Sequence, residues 1–178
     1  VQRGSSLPWH KDYTRPQLLK FFLPSRDSHA AAYYDWGSEL ETEWKENYKL
    51  WMTFINEYKN RGGRVTAGSD SGYMYNLYGF GFVQELELLR EAGFHPMEVI
   101  RAGTLHAAEA IGMEDKIGTV EVGKLADLIL MDENPLKNLK YLYATGDIKL
   151  DEENDVIRVG GVEKTIKDGI VYDARLLL

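Results

Sequence analysis

Asp70 combines a reactive side chain with a position in the sequence that is typical of active sites. It follows a short β-branched run at residues 64–68 and stands between two serines, just ahead of Gly72. Functional side chains of α/β folds collect past the carboxyl ends of strands, where a carboxylate can bind a divalent metal ion or accept a proton from a metal-bound water. A carboxylate that only caps the next turn would have the same local sequence, so the residues alone leave both functions open.

Four histidines could also serve as metal ligands: His10, His29, His95 and His106. Neither His-x-His nor His-Glu-x-x-His occurs among them, so no ligand spacing is visible. We expect His95 to begin a helix ahead of Pro96, and His106 to be a packed or a surface residue on a helix. The serines beside Asp70 lack the Gly-x-Ser-x-Gly order of a nucleophile elbow, and no Gly-Lys-Ser/Thr phosphate loop is present.

Length and composition exclude several classes of protein. The 178 residues carry a net charge of -7, no cysteine and 44% hydrophobic residues. This suits one globular domain but falls short of the roughly 250 residues of a complete (β/α)8 barrel. The acidic balance argues against nucleic-acid binding, and no apolar run approaches the ~18 residues of a membrane span. Without cysteine there are no disulfides, Cys-ligated zinc or iron–sulfur clusters. No signal peptide opens the chain, and both a cytoplasmic and an exported location stay open.

A long helix is the clearest element of the sequence. Ser38 and Glu41 form the pattern of a capping box at its start, and an apolar and aromatic stripe follows at helical spacing. We expect this stripe to cover a sheet. The predicted elements of the remaining chain are a short helix at 17–22, a strand at 64–68, helices at 82–92 and 97–111, and strands at 119–123, 126–131, 156–159, 163–166 and 170–172.

The predicted elements divide the chain into three parts. Residues 1–37 form an irregular lead-in, 38–114 form α/β units, and 115–178 form a β-rich part. The Asp168-Gly169 pair is a strong hairpin signal within the last part. In the second part, Tyr73, Met74 and Tyr75 follow Asp70 closely, and they either face a substrate or pack on the next helix.

Several stretches of this sequence resemble the amidohydrolase superfamily, most closely its imidazolonepropionase-like and prolidase-like branch. The resemblance covers roughly residues 44–173. The stretches that carry it are residues 63–72, 85–93, 96–104, 117–130, 134–136 and 167–172.

This resemblance implies an α/β fold, the C-terminal portion of a metal-dependent hydrolase (β/α)8 TIM barrel followed by part of a small β-sandwich. It implies hydrolysis of a C–N bond in an amide, a dipeptide or a cyclic amide, with a divalent metal ion, most simply zinc. Asp70 matches the family's aspartate at the end of the eighth strand, which contacts the metal and shuttles the proton of the attacking water.

The family's other metal ligands are missing from this sequence. These are a His-x-His on the first strand, a carboxylated Lys or a Glu on the fourth, and a His on each of the fifth and sixth. We therefore expect a C-terminal fragment that is inactive and retains no metal by itself. The expected partners are a small-molecule or dipeptide substrate, and a second copy of the chain or the missing N-terminal part. The alternative is a non-catalytic barrel remnant that acts as a binding or assembly module.

Overall fold

A computed structural model describes residues 7–28 and 30–176. The candidate ligand His29 lies outside the described residues. The helices are α1 Pro8–Tyr13, α2 Pro16–Phe22, α3 Ser38–Asn60, α4 Phe80–Glu91, α5 Pro96–Gly103 and α6 Leu105–Ala110. The strands are β1 Leu128–Leu130, β2 Asp147–Leu150, β3 Val156–Val159, β4 Lys164–Lys167 and β5 Ile170–Asp173. Short 3-10 helices span Ala31–Tyr33, Leu139–Leu142 and Ala174–Leu176.

The main hydrophobic core lies between α4 and α5. Phe94, in the connection between the two helices, and Val99 are almost completely buried. Burying side chains of this size stabilises a fold by about 1.5–3 kcal/mol each. Met52 and Ile55 of α3 are half-buried and pack against this core from outside. The buried members of the core are Leu86, Leu89, Ala92, Phe94, Val99, Ala102 and Leu139.

The start of α3 differs from the predicted capping box by one residue. The helix begins at Ser38 itself, with Gly37 as its N-cap and no side-chain cap hydrogen bond. The Gly37 carbonyl accepts the first helical hydrogen bond, from the Glu41 amide at 3.1 Å. The prediction that Ser38 caps the helix is therefore wrong, because an N-cap residue must lie outside the helical conformation.

The aromatic stripe of α3 is exposed, and the expected sheet does not cover it in the described part of the chain. No side chain of α3 is fully buried. Trp44, Trp51 and Phe54 are 43%, 49% and 67% exposed. Trp44 packs edge-to-face on Trp51, with their ring centres 5.5 Å apart. Because only Met52 and Ile55 reach the core, α3 carries more apolar surface than these residues bury.

The run predicted as a strand at 64–68 is extended but belongs to no sheet of the described residues. Its residues alternate between half-buried and exposed from Gly63 to Asp70, with Val65 and Ala67 half-buried. The Ala67 amide donates to the Ala102 carbonyl at 3.1 Å. A ring nitrogen of His106 lies 3.2 Å from the Val65 carbonyl. A parallel strand needs a neighbouring strand for its ladder, and the described residues provide helices instead.

The single helix predicted over 97–111 is two helices. Thr104 interrupts it with φ -129° and ψ -86°, so that α5 ends at Gly103 and α6 begins at Leu105. The Thr104 hydroxyl donates to the Ile100 carbonyl at 2.7 Å. Such back-bonding bends helices. Ala102 and His106, which contact the extended segment, lie on either side of this bend.

The strands after residue 127 form two antiparallel units. One is a three-stranded sheet in the order β1-β4-β5, and the other is the hairpin β2-β3. The hairpin predicted at Asp168-Gly169 is confirmed: Lys167 pairs with Ile170, and both turn residues have positive φ. The strand predicted at 119–123 is wrong, since Val120 and Val122 are exposed and pair with no described strand.

Apolar side chains on these strands are also exposed. The described strands close neither a barrel nor a sandwich. The exposed fraction lies between 46% and 59% for Ile129, Leu130, Ile170, Val171 and Tyr172. Antiparallel sheets of soluble domains normally bury one face. The sheet therefore offers apolar surface that the described residues leave uncovered, as α3 does.

A polar contact ties α3 to α5 across 39 residues of sequence. The Lys59 ammonium donates to the Glu98 carboxylate at 2.8 Å and lies 5.0 Å from the centre of the Phe94 ring. The His95 amide donates to the same carboxylate at 2.7 Å, which satisfies a free N–H at the start of α5. The Lys59 hydrogen bond, followed by the His95 amide, lowers the pKa of Glu98.

Replacing Glu98 with Gln should destabilise the chain by about 1 kcal/mol at pH 7, a discounted value because the carboxylate is partly exposed. The folded-state pKa of Glu98 lies below the unfolded value. Its contribution is therefore present above the ordinary Glu pKa and is lost as the pH falls through the folded value. Urea denaturation at pH 7 and pH 3 measures the difference. Glu57→Gln, which removes an exposed pair with Arg61 at 3.9 Å, is the control. An equal loss in both variants, or a loss that persists at pH 3, would contradict this.

Candidate functional site

Asp70 begins a tight loop between the extended segment and α4. Its side chain is exposed, and its φ is +46°. Tyr75 in the same loop has φ +54°, and Gly72 has φ +104°. A non-glycine residue in this conformation costs about 1–3 kcal/mol and persists only where the surroundings hold it. Two such residues within six positions make this the most strained connection of the α/β part.

Hydrogen bonds within the loop hold this conformation. The Gly72 amide donates to the Asn76 carbonyl at 2.8 Å, and the Asn76 amide donates to the Tyr73 carbonyl at 2.9 Å. The Asn76 side-chain amide donates to the Ser69 carbonyl. The Ser69 and Ser71 hydroxyls lie 2.7 Å apart, on either side of Asp70. The loop therefore closes on itself and presents the Asp70 carboxylate to solvent.

The described residues do not make a metal site around Asp70. No group of three or more His, Asp or Glu side chains suitable for a metal ion occurs in residues 7–28 and 30–176. Catalytic zinc sites use three protein ligands and a water. Asp70 alone supplies one carboxylate, which can ligate a metal held by other residues or accept a proton within hydrogen-bond reach.

The three described histidines have structural surroundings. His10 is 1% exposed and packs edge-on against the Tyr75 ring, 5.5 Å between ring centres. Burial lowers the pKa of His10. His95 is the N-cap of α5, as predicted, and His106 is the half-buried residue that contacts the Val65 carbonyl.

The lead-in packs over the loop that carries Asp70, which the sequence did not reveal. Met74 and Tyr75 are buried in a second cluster with Phe22 and Ala30 of the lead-in. The Phe22 and Tyr75 rings meet edge-to-face at 5.5 Å. For residues 73–75 the sequence left two alternatives, contact with a substrate or packing on the next helix. Met74 and Tyr75 are packed, and the residues that they pack against belong to the lead-in. The three consecutive apolar residues in this loop are the feature of the sequence that could have indicated such packing.

A half-open cleft of about 1720 Å³ lies beside this loop. The lead-in, the start of α3, α4 and residues 143–148 form its other walls. The described walls include nine aromatic residues. Asp70 is not among the lining residues, whereas Tyr73 to Asn76 of its loop are. The aromatic lining residues are Trp9, Tyr13, Tyr33, Trp36, Trp44, Tyr48, Tyr73, Tyr75 and Tyr143.

Two glutamates of α4 line the cleft, and they differ in whether a described residue bonds to the carboxylate. Glu87 accepts a hydrogen bond from the Tyr143 hydroxyl at 2.6 Å, and burial together with this carboxylate raises the pKa of Tyr143. Glu85 is half-buried and makes no hydrogen bond or ion pair with another described residue. Burial raises the pKa of Glu85. The sequence contains no pattern that separates these two glutamates, since the difference lies in what faces them.

Comparison with known proteins identifies the relatives of this chain. The model of the amidohydrolase family matches residues 51–171, more than half of the chain. The imidazolonepropionase of Symbiobacterium thermophilum is 40% identical over 75 residues, which are 39% of this chain and 16% of that protein. The 5'-deoxyadenosine deaminase of Methanobrevibacter smithii is 44% identical over 52 residues, which are 29% of this chain and 12% of that protein.

Solved structures show the same relationship. A Xaa-Pro dipeptidase with methionine bound in its active site has a TM-score of 0.51 and 28% identity, over 68% of this chain and 25% of that one. A prolidase complexed with N-methylphosphonate-L-proline has a TM-score of 0.56 over 82% of this chain and 31% of that one; at 24% identity it shows the fold alone. The chain thus spans under a third of the length of each of these proteins.

Among the described helices, none has the length and apolar character needed to cross a membrane.

Glu85→Gln should stabilise the chain at pH 7.5, because it removes a charge that burial disfavours while it keeps the shape of the side chain. The folded-state pKa of Glu85 lies above the unfolded one, so its ionisation opposes folding as the pH rises through the folded value. We expect the Tm to rise by about 2–4 °C, the shift that roughly 1 kcal/mol produces in a chain of this size. Thermal unfolding at pH 7.5 and pH 4 tests this, and the gain should vanish at pH 4. Glu91→Gln, exposed on the same helix, is the control. A lower Tm for Glu85→Gln at pH 7.5 would mean that the carboxylate has a partner.

Proposed function

The chain belongs to the amidohydrolase family, and from this premise we propose that it contributes to a hydrolase of C–N bonds. The observation that carries the proposal is the position of Asp70. It lies immediately past the extended segment, within the matched region, in a loop whose hydrogen bonds hold it exposed. In this proposal Asp70 accepts the proton of the attacking water, a function for which a carboxylate within hydrogen-bond reach is suited.

The substrate we propose is a small amide, either a dipeptide or a cyclic amide. The relatives named imidazolonepropionase and Xaa-Pro dipeptidase support this class. The cleft that Tyr73 to Asn76 line, next to Asp70 but not lined by it, is large enough for such a molecule, since binding pockets for small molecules span about 300–1,000 Å³.

The expected divalent metal ion, most simply zinc, does not fit the described residues by themselves, since they offer one carboxylate at the site. Its other ligands would have to come from outside these residues. The step that we propose for this chain is therefore limited to proton transfer at the Asp70 carboxylate.

We further propose that the rest of a (β/α)8 barrel covers the uncovered apolar surfaces of this chain. The exposed stripe of α3 and the exposed strand residues support this. In the proposed architecture residues 1–37 are a lead-in, residues 38–114 the last α/β units of the barrel, and residues 115–178 part of a small β-sandwich. The second candidate function is assembly without catalysis, which the same exposed surfaces favour.

Asp70→Asn should abolish hydrolysis in the protein that carries this chain. The assay uses the 178-residue chain and any longer form of the protein that includes residues before Val1. We expect turnover of a panel of dipeptides and cyclic amides to fall by about 10²–10⁴-fold, the usual contribution of a general base. The circular dichroism spectrum and Tm should be unchanged, since the side chain is exposed. Asp132→Asn, another exposed carboxylate, is the control and should keep full activity. Retained turnover in Asp70→Asn would refute the function assigned to Asp70. If no protein that includes residues upstream of Val1 shows activity, the assembly function is favoured.

The 178-residue chain by itself should associate through its exposed apolar surfaces. Light scattering after gel filtration should give an average mass above that of the monomer. Phe54→Lys, which places a charge in the α3 stripe, should lower this mass. Thr53→Lys adds the same charge one position away, outside the stripe, and should not. A monomeric wild-type chain would contradict the prediction.

A further inference from the structure

The loop that carries Asp70 is closed at one residue, Asn76. Its side-chain amide donates to the carbonyl of Ser69, the residue directly before Asp70. Its backbone carbonyl accepts from the Gly72 amide at 2.8 Å, and its own amide donates to the Tyr73 carbonyl at 2.9 Å. Asn76 thus contacts the chain on both sides of Asp70, through its side-chain amide, its backbone carbonyl and its backbone amide.

The first turn of α4 is built to accept this side chain. Gly81 leaves the space that the Asn76 side chain occupies: a Cβ at position 81 would lie 1.7 Å from the Asn76 Oδ1 and 3.2 Å from the Ser71 Oγ, so that the Asn76 side chain would have to move. Gly81 has an ordinary helical backbone with no positive φ, so the need for glycine arises from the space and not from the conformation. The position of the Asn76 side chain therefore depends on two residues in different elements: Ser69 of the extended segment, which accepts its hydrogen bond, and Gly81 of α4, which leaves it space.

The backbone of Asp70 needs such a restraint. Its φ of +46° lies in the left-handed region, which non-glycine residues rarely adopt. The direct hydrogen bond from the Tyr73 amide to the Asp70 carbonyl is long, at 3.4 Å. The bonds at Ser69 and Gly72, on either side of Asp70, are the ones that Asn76 makes.

We propose that Asn76 is a positioning residue, which holds Asp70 in its left-handed conformation and so aims its carboxylate. The proposal rests on the hydrolase function proposed for Asp70. The donor is essential to this function: aspartate has the same shape, but would place a carboxylate oxygen against the Ser69 carbonyl. Glutamine keeps the donor but is one methylene longer, in a space already limited by Gly81.

Two substitutions remove the restraint by different routes. Asn76→Asp removes the donor, and Gly81→Ala displaces the side chain without changing its chemistry. Each has a matched control. Asn47→Asp makes the same change at an exposed position of α3, and Gly68→Ala adds a Cβ that meets nothing within 4 Å.

Nuclear magnetic resonance of the 178-residue chain measures the conformation of Asp70 without any substrate or metal. A positive φ gives a strong nuclear Overhauser effect between the amide proton and Hα of the same residue. We expect a strong signal at Asp70 in the wild type and both controls, and its loss in Asn76→Asp and Gly81→Ala. Hydrogen exchange of the Gly72 amide should become at least tenfold faster in these two variants, while α4 and α5 keep their protection.

The outcomes decide the proposal. If either variant folds and keeps the strong Asp70 signal, or if neither gives a dispersed spectrum, Asn76 supports the fold in general and the proposal is wrong. If the signal is lost but no form of the protein hydrolyses an amide, the hydrolase function fails and the conformational tie stands. Where turnover is measurable, Asn76→Asp should lower kcat by at least tenfold with KM within twofold, because it misplaces the base and does not remove binding contacts.

Discussion

The extended segment at residues 63–70 places the strongest constraint on this structure, because its backbone must find hydrogen-bond partners without a neighbouring strand. Buried backbone amides and carbonyls are almost always paired. In the described chain the partners of Ala67 and Val65 come from two helices: Ala102 at the end of α5 and His106 on α6. The break at Thr104 matters for this reason, since in an unbroken helix the Ala102 carbonyl would accept a hydrogen bond from the His106 amide.

The position of the candidate site follows from this arrangement. Val65 and Ala67 pack on the core that α4 and α5 form, and this anchors the segment up to Ser69. The next residue, Asp70, leaves the core and enters a loop with positive φ at four positions. A carboxylate on a strained loop beside a rigid core combines exposure with a defined orientation. Strain of this kind persists where the surroundings hold it and is frequent at functional sites.

Uncovered apolar surface is the other consequence of the same constraint. The aromatic stripe of α3 and the apolar residues of strands β1 and β5 have the composition of buried faces, but they are exposed. The expectation that the stripe covers a sheet is wrong for the described residues, although the apolar pattern of α3 is real. A pattern shows that a face must be covered, and only the tertiary structure shows whether the chain at hand covers it.

The features that the sequence by itself determined are those governed by neighbouring residues and by family resemblance. The Asp168-Gly169 turn, the long helix α3 and the position of Asp70 past an extended run belong to this group, because turn chemistry and helical periodicity act over a few residues. The tertiary structure alone decided the pairing of groups that are distant in sequence. Tyr143 bonds to Glu87 across 56 residues, while Glu85, two positions away, has no described partner. The break at Thr104, the lack of a neighbouring strand beside residues 63–70 in the described chain and the tie from Asn76 to Ser69 are of the same kind. Each depends on which groups the fold brings within hydrogen-bond distance, and short-range preferences do not contain that information.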